Sequence, residues 1–483
     1  MGRGFLIDEL RFTPRIEILS DAQMDRFHDA ALEILERMGI RMTHPKGLEL
    51  LDAAGCKVVN NQVYFPPWVV EKYLALAPHR LSLGNRDNTR AVQLDDRRSY
   101  FGPTLDCIFY QDPVTEERSP CDSKHVKIMS RLCDKLDNYT WNMTLGLCND
   151  YPPTMADKVA SRLAIEFCRK PTVCCCADVR SLEQIYEMAV LCQGGVDEFE
   201  RHPYLLHLAD PVSPLLYYDP VVAKMIYCAE KKIPLINYPG IQAAGTSPAT
   251  LAGTIVQASA EALSGLVLHQ MANPGAPFIY GAFATIMDMR TTVFSYGAIE
   301  MAMMVGAMAQ IAQRYRLPFF GTAGCTDSQM VDLQAAVEGS LQDLIACGVG
   351  EGLIHDTHCW LDHGSTVSPT YMVLGQEILG MVKRFMEGVS ITDDSLALDI
   401  IAKVGSGGNF LVEKHTMKNF KNMFYSDLFD RLQYESWQNK GGKLIEQRLK
   451  EKTVKVIESE DVNPLDPAIV KELDARQKSW EKW

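Results

Sequence analysis

Eight short apolar runs recur along this chain, and helical periodicity follows them, an alternation that leaves few folds open. The runs cover residues 99–103, 139–145, 172–177, 204–209, 234–238, 278–283, 318–322 and 353–357, and they start about 30 to 45 residues apart. Short strands alternating with helices imply βαβ units and a parallel sheet. Eight such units at near-even spacing favour a closed ring over an open sheet, so the expected fold is α/β, a (β/α)8 TIM barrel. At 483 residues the chain exceeds what the eight units need. Residues 1–97 are expected as an N-terminal α+β extension, 98–425 as the barrel and 426–483 as a C-terminal helical tail.

Local signals agree with this division. Ser20 precedes Met24, Phe27, Ala31, Leu32 and Leu35, an N-cap residue followed by an apolar stripe at helical spacing. That helix is expected to stop at Met38-Gly39, and a second to start after His44-Pro45. Strand signals follow at 56–59 and 63–65. In the barrel, 240–246 reads as a loop of small residues, with Thr246 or Ser247 capping an apolar helix and Pro248 in its first turn. Gly405-Ser406-Gly407-Gly408 resembles a phosphate loop but follows a helix rather than a strand, so it reads as a helix end and turn.

A formal net charge of −13 argues against a nucleic-acid surface, which needs clustered Lys and Arg. Met1-Gly2-Arg3-Gly4 lacks the apolar centre of a signal peptide, and no apolar run is expected to span a bilayer. Three of the fourteen cysteines, Cys174, Cys175 and Cys176, are consecutive, and neighbours on a strand face opposite ways. A disulfide framework is therefore not expected. The thiols read as small buried hydrophobes in a reducing, cytoplasmic setting.

The loops after barrel strands form the active site in this architecture. At the expected strand ends stand Tyr100 and Asp106, Asn142, Asp178, His207 and Asp210, Asn237 and Tyr238, Tyr280 and Phe283, Cys325 to Asp327, and His355 to Trp360. Walker, Gly-x-Gly-x-x-Gly, His-Glu-x-x-His and Gly-x-Ser-x-Gly patterns are missing from the places where they would carry chemistry. His355, Asp356, His358, Asp362 and His363 form the densest cluster of possible metal ligands. On a strand His355 and His358 face opposite sides, so no metal site is expected. His355 is the candidate donor to a substrate carboxylate, and His358 and His363 are as readily satisfied by backbone groups. Cys325 is either a nucleophile or a packed thiol, and no His in its own loop is placed to activate it.

At these residues the sequence resembles the trimethylamine methyltransferase family, specifically its members without pyrrolysine. The likeness runs over nearly the whole chain. It is carried by Gly245-Thr246-Ser247-Pro248 and Leu251-Ala252-Gly253-Thr254, by Tyr280-Gly281, Asp288, Gly297 and Glu300, by Tyr315-x-Leu317-Pro318 through Asp327, and by Asp332, Gln334, Ala335 and Glu338. Met381-Val382-Lys383, Val404-Gly405 and Asn409-Phe410-Leu411 extend it past the barrel.

The resemblance places Cys325 at the position that holds pyrrolysine in the trimethylamine enzyme. A chain without that residue is expected to act on a quaternary amine such as glycine betaine, with proline betaine or carnitine as alternative donors. The reaction so implied moves a methyl group to Co(I) of a corrinoid. The resemblance implies that this chain binds no cofactor of its own and that the corrinoid is supplied by a small corrinoid-binding partner protein. Positioning is then the enzyme's task, with no catalytic acid or nucleophile, and Tyr100, Asn237, Tyr280, Phe283, His355 and Trp360 are the candidate substrate contacts. The family also implies a homo-oligomer. A metal-dependent barrel hydrolase built on His355, His358 and an acid is the competing reading.

Overall fold

The computed structural model describes residues 11–94, 97–461 and 464–480; Met1 to Gly4 and Trp483 lie outside them. All eight expected runs contain a strand: β1 (Ser99–Phe101), β2 (Asn142–Met143), β3 (Thr172–Cys174), β4 (Leu205–Ala209), β5 (Leu235–Asn237), β6 (Phe278–Gly281), β7 (Phe319–Thr322) and β8 (Gly352–His355). They pair in parallel in chain order, and β8 pairs with β1. A parallel bridge from Phe101 to Tyr139 closes the ring between β1 and the residues leading into β2. Helices alternate with these strands: α1 (Ser123–Lys135), α2 (Pro153–Phe167), α3 (Val179–Gln193), α4 (Asp219–Lys231), α5 (Leu251–Ala272), α6 (Ile299–Tyr315), α7 (Leu333–Val349) and α8 (Pro369–Met386). This is a (β/α)8 barrel.

Side-chain alternation then separates inside from outside. Trp141, just before β2, reaches Phe320 of β7 with ring centroids 5.5 Å apart. Tyr238, just past β5, touches Phe320 and His355, each at 5.0 Å. These residues come from strands that are not all neighbours, so they meet through the barrel interior. Asn237, one residue earlier, turns outward to the Tyr217 hydroxyl and the backbone of α5.

The N-terminal extension covers the other end of the ring. Its first helix (Asp21–Arg37) starts with a capping box between Ser20 and Gln23 and buries Ala31 and Leu35. A hairpin of Leu81–Gly84 and Arg90–Leu94 follows three helices. The Gly84 amide donates to the Pro203 carbonyl at 3.1 Å and the Arg86 amide to that of Arg169 at 2.7 Å, just ahead of β4 and β3. The hairpin therefore sits at the amino ends of the strands. Past α8, the helices Ile445–Glu458 and Pro467–Trp480 return to pack on α8 and α1 and on α2 and α3.

Two local expectations change. Residues 240–243 form a strand (Gly240–Ala243) paired with Phe283–Asp288, and α5 starts after Thr250 with no side-chain cap. The small residues thus extend the backbone instead of looping it. Also, α5 is long and apolar enough, at 22 residues, to cross a membrane by length and composition, contrary to the sequence reading. Its apolar character has a packing cause: 78% of its most apolar window is buried, with the barrel and the helices of the N-terminal extension against it. All fourteen cysteines are unpaired and every one except Cys175 is buried, as expected of thiols used for packing.

Candidate active site

Over the carboxyl ends of the strands, the loops fold into two small sheets. One joins Gly240–Ala243, Phe283–Asp288 and Val293–Phe294; the other joins Trp360–Leu361, Thr366–Val367, Phe109–Gln111 and Arg118–Pro120. Between them lies an aromatic cluster. Phe283 stacks on Phe294 at 5.1 Å and approaches Tyr296 at 5.0 Å. Tyr296 in turn meets the Trp360 ring edge-on at 4.7 Å. Phe283 also lies 6.1 Å from both Tyr238 and His355, which joins this wall to the barrel interior. Phe283 and Trp360 are buried but not sealed, each with 8% exposed, and Tyr296 is half-buried. Aromatic faces at this density attract a desolvated cation, at roughly 1–2 kcal/mol each.

Beneath the wall is a hydrogen-bonded floor. Nε2 of His355 lies 2.8 Å from the Tyr238 hydroxyl and 2.7 Å from Oγ1 of Thr322, and the two hydroxyls also touch each other. Nδ1 of His355 is 2.7 Å from the Asp356 carboxylate, which is fully buried. Burial raises the Asp356 pKa, and His355 opposes that shift. Burial also holds the Tyr238 phenol well above its usual range, so it stays a neutral donor. Asp356, His358, Asp362 and His363 all have positive φ, between 44° and 66°. Four non-glycine residues in that region within one loop make the β8–α8 turn a strained segment.

His358 and His363 leave the floor. Nε2 of His358 pairs with Asp343 of α7 at 2.6 Å, both fully buried, and His363 pairs with Asp327 at 3.0 Å. His355 and His358 thus diverge, but not by strand alternation: β8 ends at His355, and His358 lies beyond it in the turn with positive φ. Among the described residues no group of three His, Cys, Asp or Glu side chains is arranged to hold a metal ion. The hydrolase reading loses its ligand pair.

The Cys325 loop is held from α7. Gln342 accepts from the Cys325 amide at 2.9 Å and donates to the Tyr296 carbonyl at 2.9 Å. Glu338 accepts from the Thr326 hydroxyl at 2.6 Å and the Asp327 amide at 3.0 Å. Asp327 then accepts from the Ser295 hydroxyl and from the Tyr296 amide at 2.7 Å, which fixes the aromatic wall. Gly324 is needed here: its φ is +77°, and a Cβ would stand 2.9 Å from Cα of Thr357. The Cys325 thiol is fully buried, and burial, followed by the negative charge of Asp356, raises its pKa well above the ordinary value. A neutral, enclosed thiol has the character of a packing group.

Across the mouth the character changes. Asp106, after β1, and Asp210, after β4, are solvent-accessible yet ringed by protein. Asp106 is pushed up to about 7 by that burial, then by the carboxylates of Asp210 and Asp157, with Lys224 opposing. Lys224 itself donates to the Cys176 carbonyl. The mouth is aromatic over β5 to β8 and acidic over β1 to β4.

Of the six expected substrate contacts, the structure brings Phe283, His355 and Trp360 to this end of the barrel. The other three are corrected. The Tyr100 hydroxyl donates to the Gln93 carbonyl at 3.1 Å in the hairpin at the opposite end. Asn237 faces α5, and Tyr280 lies outside the ring against Tyr315 and Phe319. For Asn237 and Tyr280 a one-residue error of register turns the side chain from one face to the other; Tyr100 is instead taken up by the hairpin at the amino ends of the strands. Tyr238, which the sequence places at a strand end without making it a substrate contact, belongs to the floor. Phe294 and Tyr296 were missed as wall residues, and the hairpin that carries them offers no local signal.

A family model described as trimethylamine methyltransferase (MTTB) matches residues 8–479. The chain is 30% identical over 466 residues to a glycine betaine methyltransferase of Desulfitobacterium hafniense (strain Y51), covering 96% of each protein. It is 29% identical over 456 residues to the trimethylamine methyltransferase MttB of Desulfitobacterium hafniense (strain DSM 10664 / DCB-2), covering 94% of this chain and 92% of that protein. The crystal structure of the Methanosarcina barkeri monomethylamine methyltransferase (MtmB) superposes with a TM-score of 0.52 at 10% identity, over 92% of this chain and 88% of that one, which agrees with the barrel. With nearly its whole length matched, this chain belongs to the trimethylamine methyltransferase (MTTB) family.

Proposed function

We propose that this protein transfers a methyl group from a quaternary amine of the glycine betaine type to Co(I) of a corrinoid carried by a separate small protein. The observation that carries the reading is the aromatic wall of Phe283, Tyr296 and Trp360 at the barrel mouth, beside a Cys325 thiol too buried to react. The glycine betaine methyltransferase among its relatives supports the same substrate class.

A quaternary nitrogen needs no acid. When the N–CH3 bond breaks, the electron pair stays on nitrogen and a neutral tertiary amine leaves, while the methyl carbon bonds to the incoming cobalt nucleophile. The protein's contribution is therefore to desolvate the cation, hold it against the rings and aim one methyl group out of the mouth. The wall takes the cationic head. Asp106 and Asp210 repel a carboxylate, so the anionic arm of a betaine is directed toward the His355 side. The corrinoid remains with its carrier, and no group on this chain is assigned to hold it.

The test is a panel of glycine betaine, proline betaine, carnitine and trimethylamine with reduced free cob(I)alamin, followed by the methylcobalamin spectrum. Methylation by a quaternary amine and not by trimethylamine is expected. Turnover of trimethylamine with no quaternary amine active overturns the reading.

A further inference from the structure

The segment that follows α8 is apolar and uncovered. No residue from 387 to 423 is buried. Its helices Asp393–Leu396, Leu398–Val404 and Lys414–Asn419 bury nothing. Yet ten of its hydrophobic side chains are 45–85% exposed, among them Leu398, Ile401, Leu411, Val412 and Met417. A folded monomer has no reason to order so much apolar surface in water.

A matching recess lies at the root of this segment. Between α7, α8 and the helix Ile445–Glu458 is an open cavity of about 700 Å³, lined by Leu333, Ala336, Ile378, Met381, Phe385 and Leu449. Leu333 is 84% exposed and Phe385, at the last turn of α8, is 54% exposed. The segment begins right after α8, so arm and groove are contiguous on one chain.

We propose that residues 387–423 form an exchange arm that lies in this groove on a second copy of the chain, giving a two-fold dimer. Two surfaces of the same chemistry side by side on one molecule are both covered by a single isologous contact. The area is sufficient. The ten arm side chains, with Leu333, Val337, Leu341, Met381 and Phe385, are mostly more than half exposed. At roughly 100 Å² of apolar surface for each full side chain they offer on the order of 900 Å² per copy. A stable interface needs about 800 Å² from each partner.

Sedimentation of the full-length protein tests this. The wild type is expected at twice the 54.1 kDa of one chain, or at an even multiple of it; a monomer at micromolar concentration overturns the proposal. An arm variant (Leu411→Asp with Val412→Asp) and a groove variant (Met381→Asp with Phe385→Asp) are each expected to dissociate it. Mixing the two variants is expected to restore a two-chain species, because one intact arm meets one intact groove. Retention of wild-type mass by both variants overturns the arm, and a mixture that stays monomeric overturns the exchange. Leu411→Ser, too mild to disturb folding, is present on both arms and is expected to raise the dimer Kd roughly a hundredfold, and an unchanged Kd counts against the arm.

Discussion

Nε2 of His355 lies 2.8 Å from the hydroxyl of Tyr238, across the barrel interior from β8 to the end of β5. Neither side chain is reachable from the other by sequence spacing, and only closure of the ring brings them together. Oγ1 of Thr322 shares Nε2 with Tyr238 at 2.7 Å, and the Asp356 carboxylate stands 2.7 Å from Nδ1. Tyr238→Phe removes one of these constraints while keeping the aromatic face. A hydrogen bond of this kind contributes about 1 kcal/mol. The variant is expected to lose roughly five- to tenfold in kcat/KM for the proposed quaternary amine with little change in Tm. Unaltered kinetics would mean the floor does not orient substrate.

Cys325→Ala is expected to keep most of the activity. The thiol is enclosed and neutral, and its loop is held by Gln342 and Glu338 rather than by sulfur. Removing one buried sulfur costs about 1 kcal/mol or a little more in stability. Native protein should also leave Cys325 unlabelled by a thiol reagent until denaturant is added. Loss of turnover in a variant with a normal Tm would restore the nucleophile.

The ring of eight strands was legible because each strand is a continuous apolar run and each loop breaks it, a signal that survives without knowledge of any partner. The site was legible only in part. Phe283, His355 and Trp360 stood close to strand ends, where reach matters more than register. Asn237 and Tyr280 stood within strands, where a shift of one residue reverses the side chain, and the periodicity of a three- or four-residue strand is too short to fix it. Tyr296 reaches the wall because Asp327, from the next unit, captures its amide. A long-range tether of that kind leaves no local pattern. Nor does burial on both sides of α5, which made a packed helix as apolar as a spanning one.

The corrected positions give a control for the aromatic wall. Tyr296→Leu preserves apolar bulk but removes the π face, and a lost cation–π contact of about 1–2 kcal/mol corresponds to roughly a five- to thirtyfold fall in kcat/KM for a quaternary ammonium. Asn237→Ala should do the reverse. It strips a donor from the Tyr217 hydroxyl and the Glu261 carbonyl outside the ring, at a cost of about 1–3 kcal/mol. Its Tm should fall while KM stays near that of the wild type. A KM effect from Asn237→Ala larger than that from Tyr296→Leu would place the substrate elsewhere.

Asp106 sets a pH dependence with a definite sign. Its folded pKa of about 7 stands above the ordinary 3.8, raised by burial and by Asp210 and Asp157. Between pH 4 and 7 the native state keeps a proton that the unfolded chain releases, so this group lowers stability progressively as pH rises through that window. The penalty is complete above pH 7 and absent below pH 4. Because the carboxylate is open to solvent, screening reduces the effect to about 1 kcal/mol. Asp106→Asn is therefore expected to raise Tm by roughly 2 °C at pH 8 and not at pH 4. The same substitution removes a negative charge at the barrel mouth, opposite the proposed substrate wall. KM for a betaine should fall at pH 8, where the wild-type group is ionised, and match the wild type below pH 6, whereas a quaternary amine without a carboxylate should show no such gain. Equal shifts for both substrates would separate Asp106 from the recognition of the anionic arm.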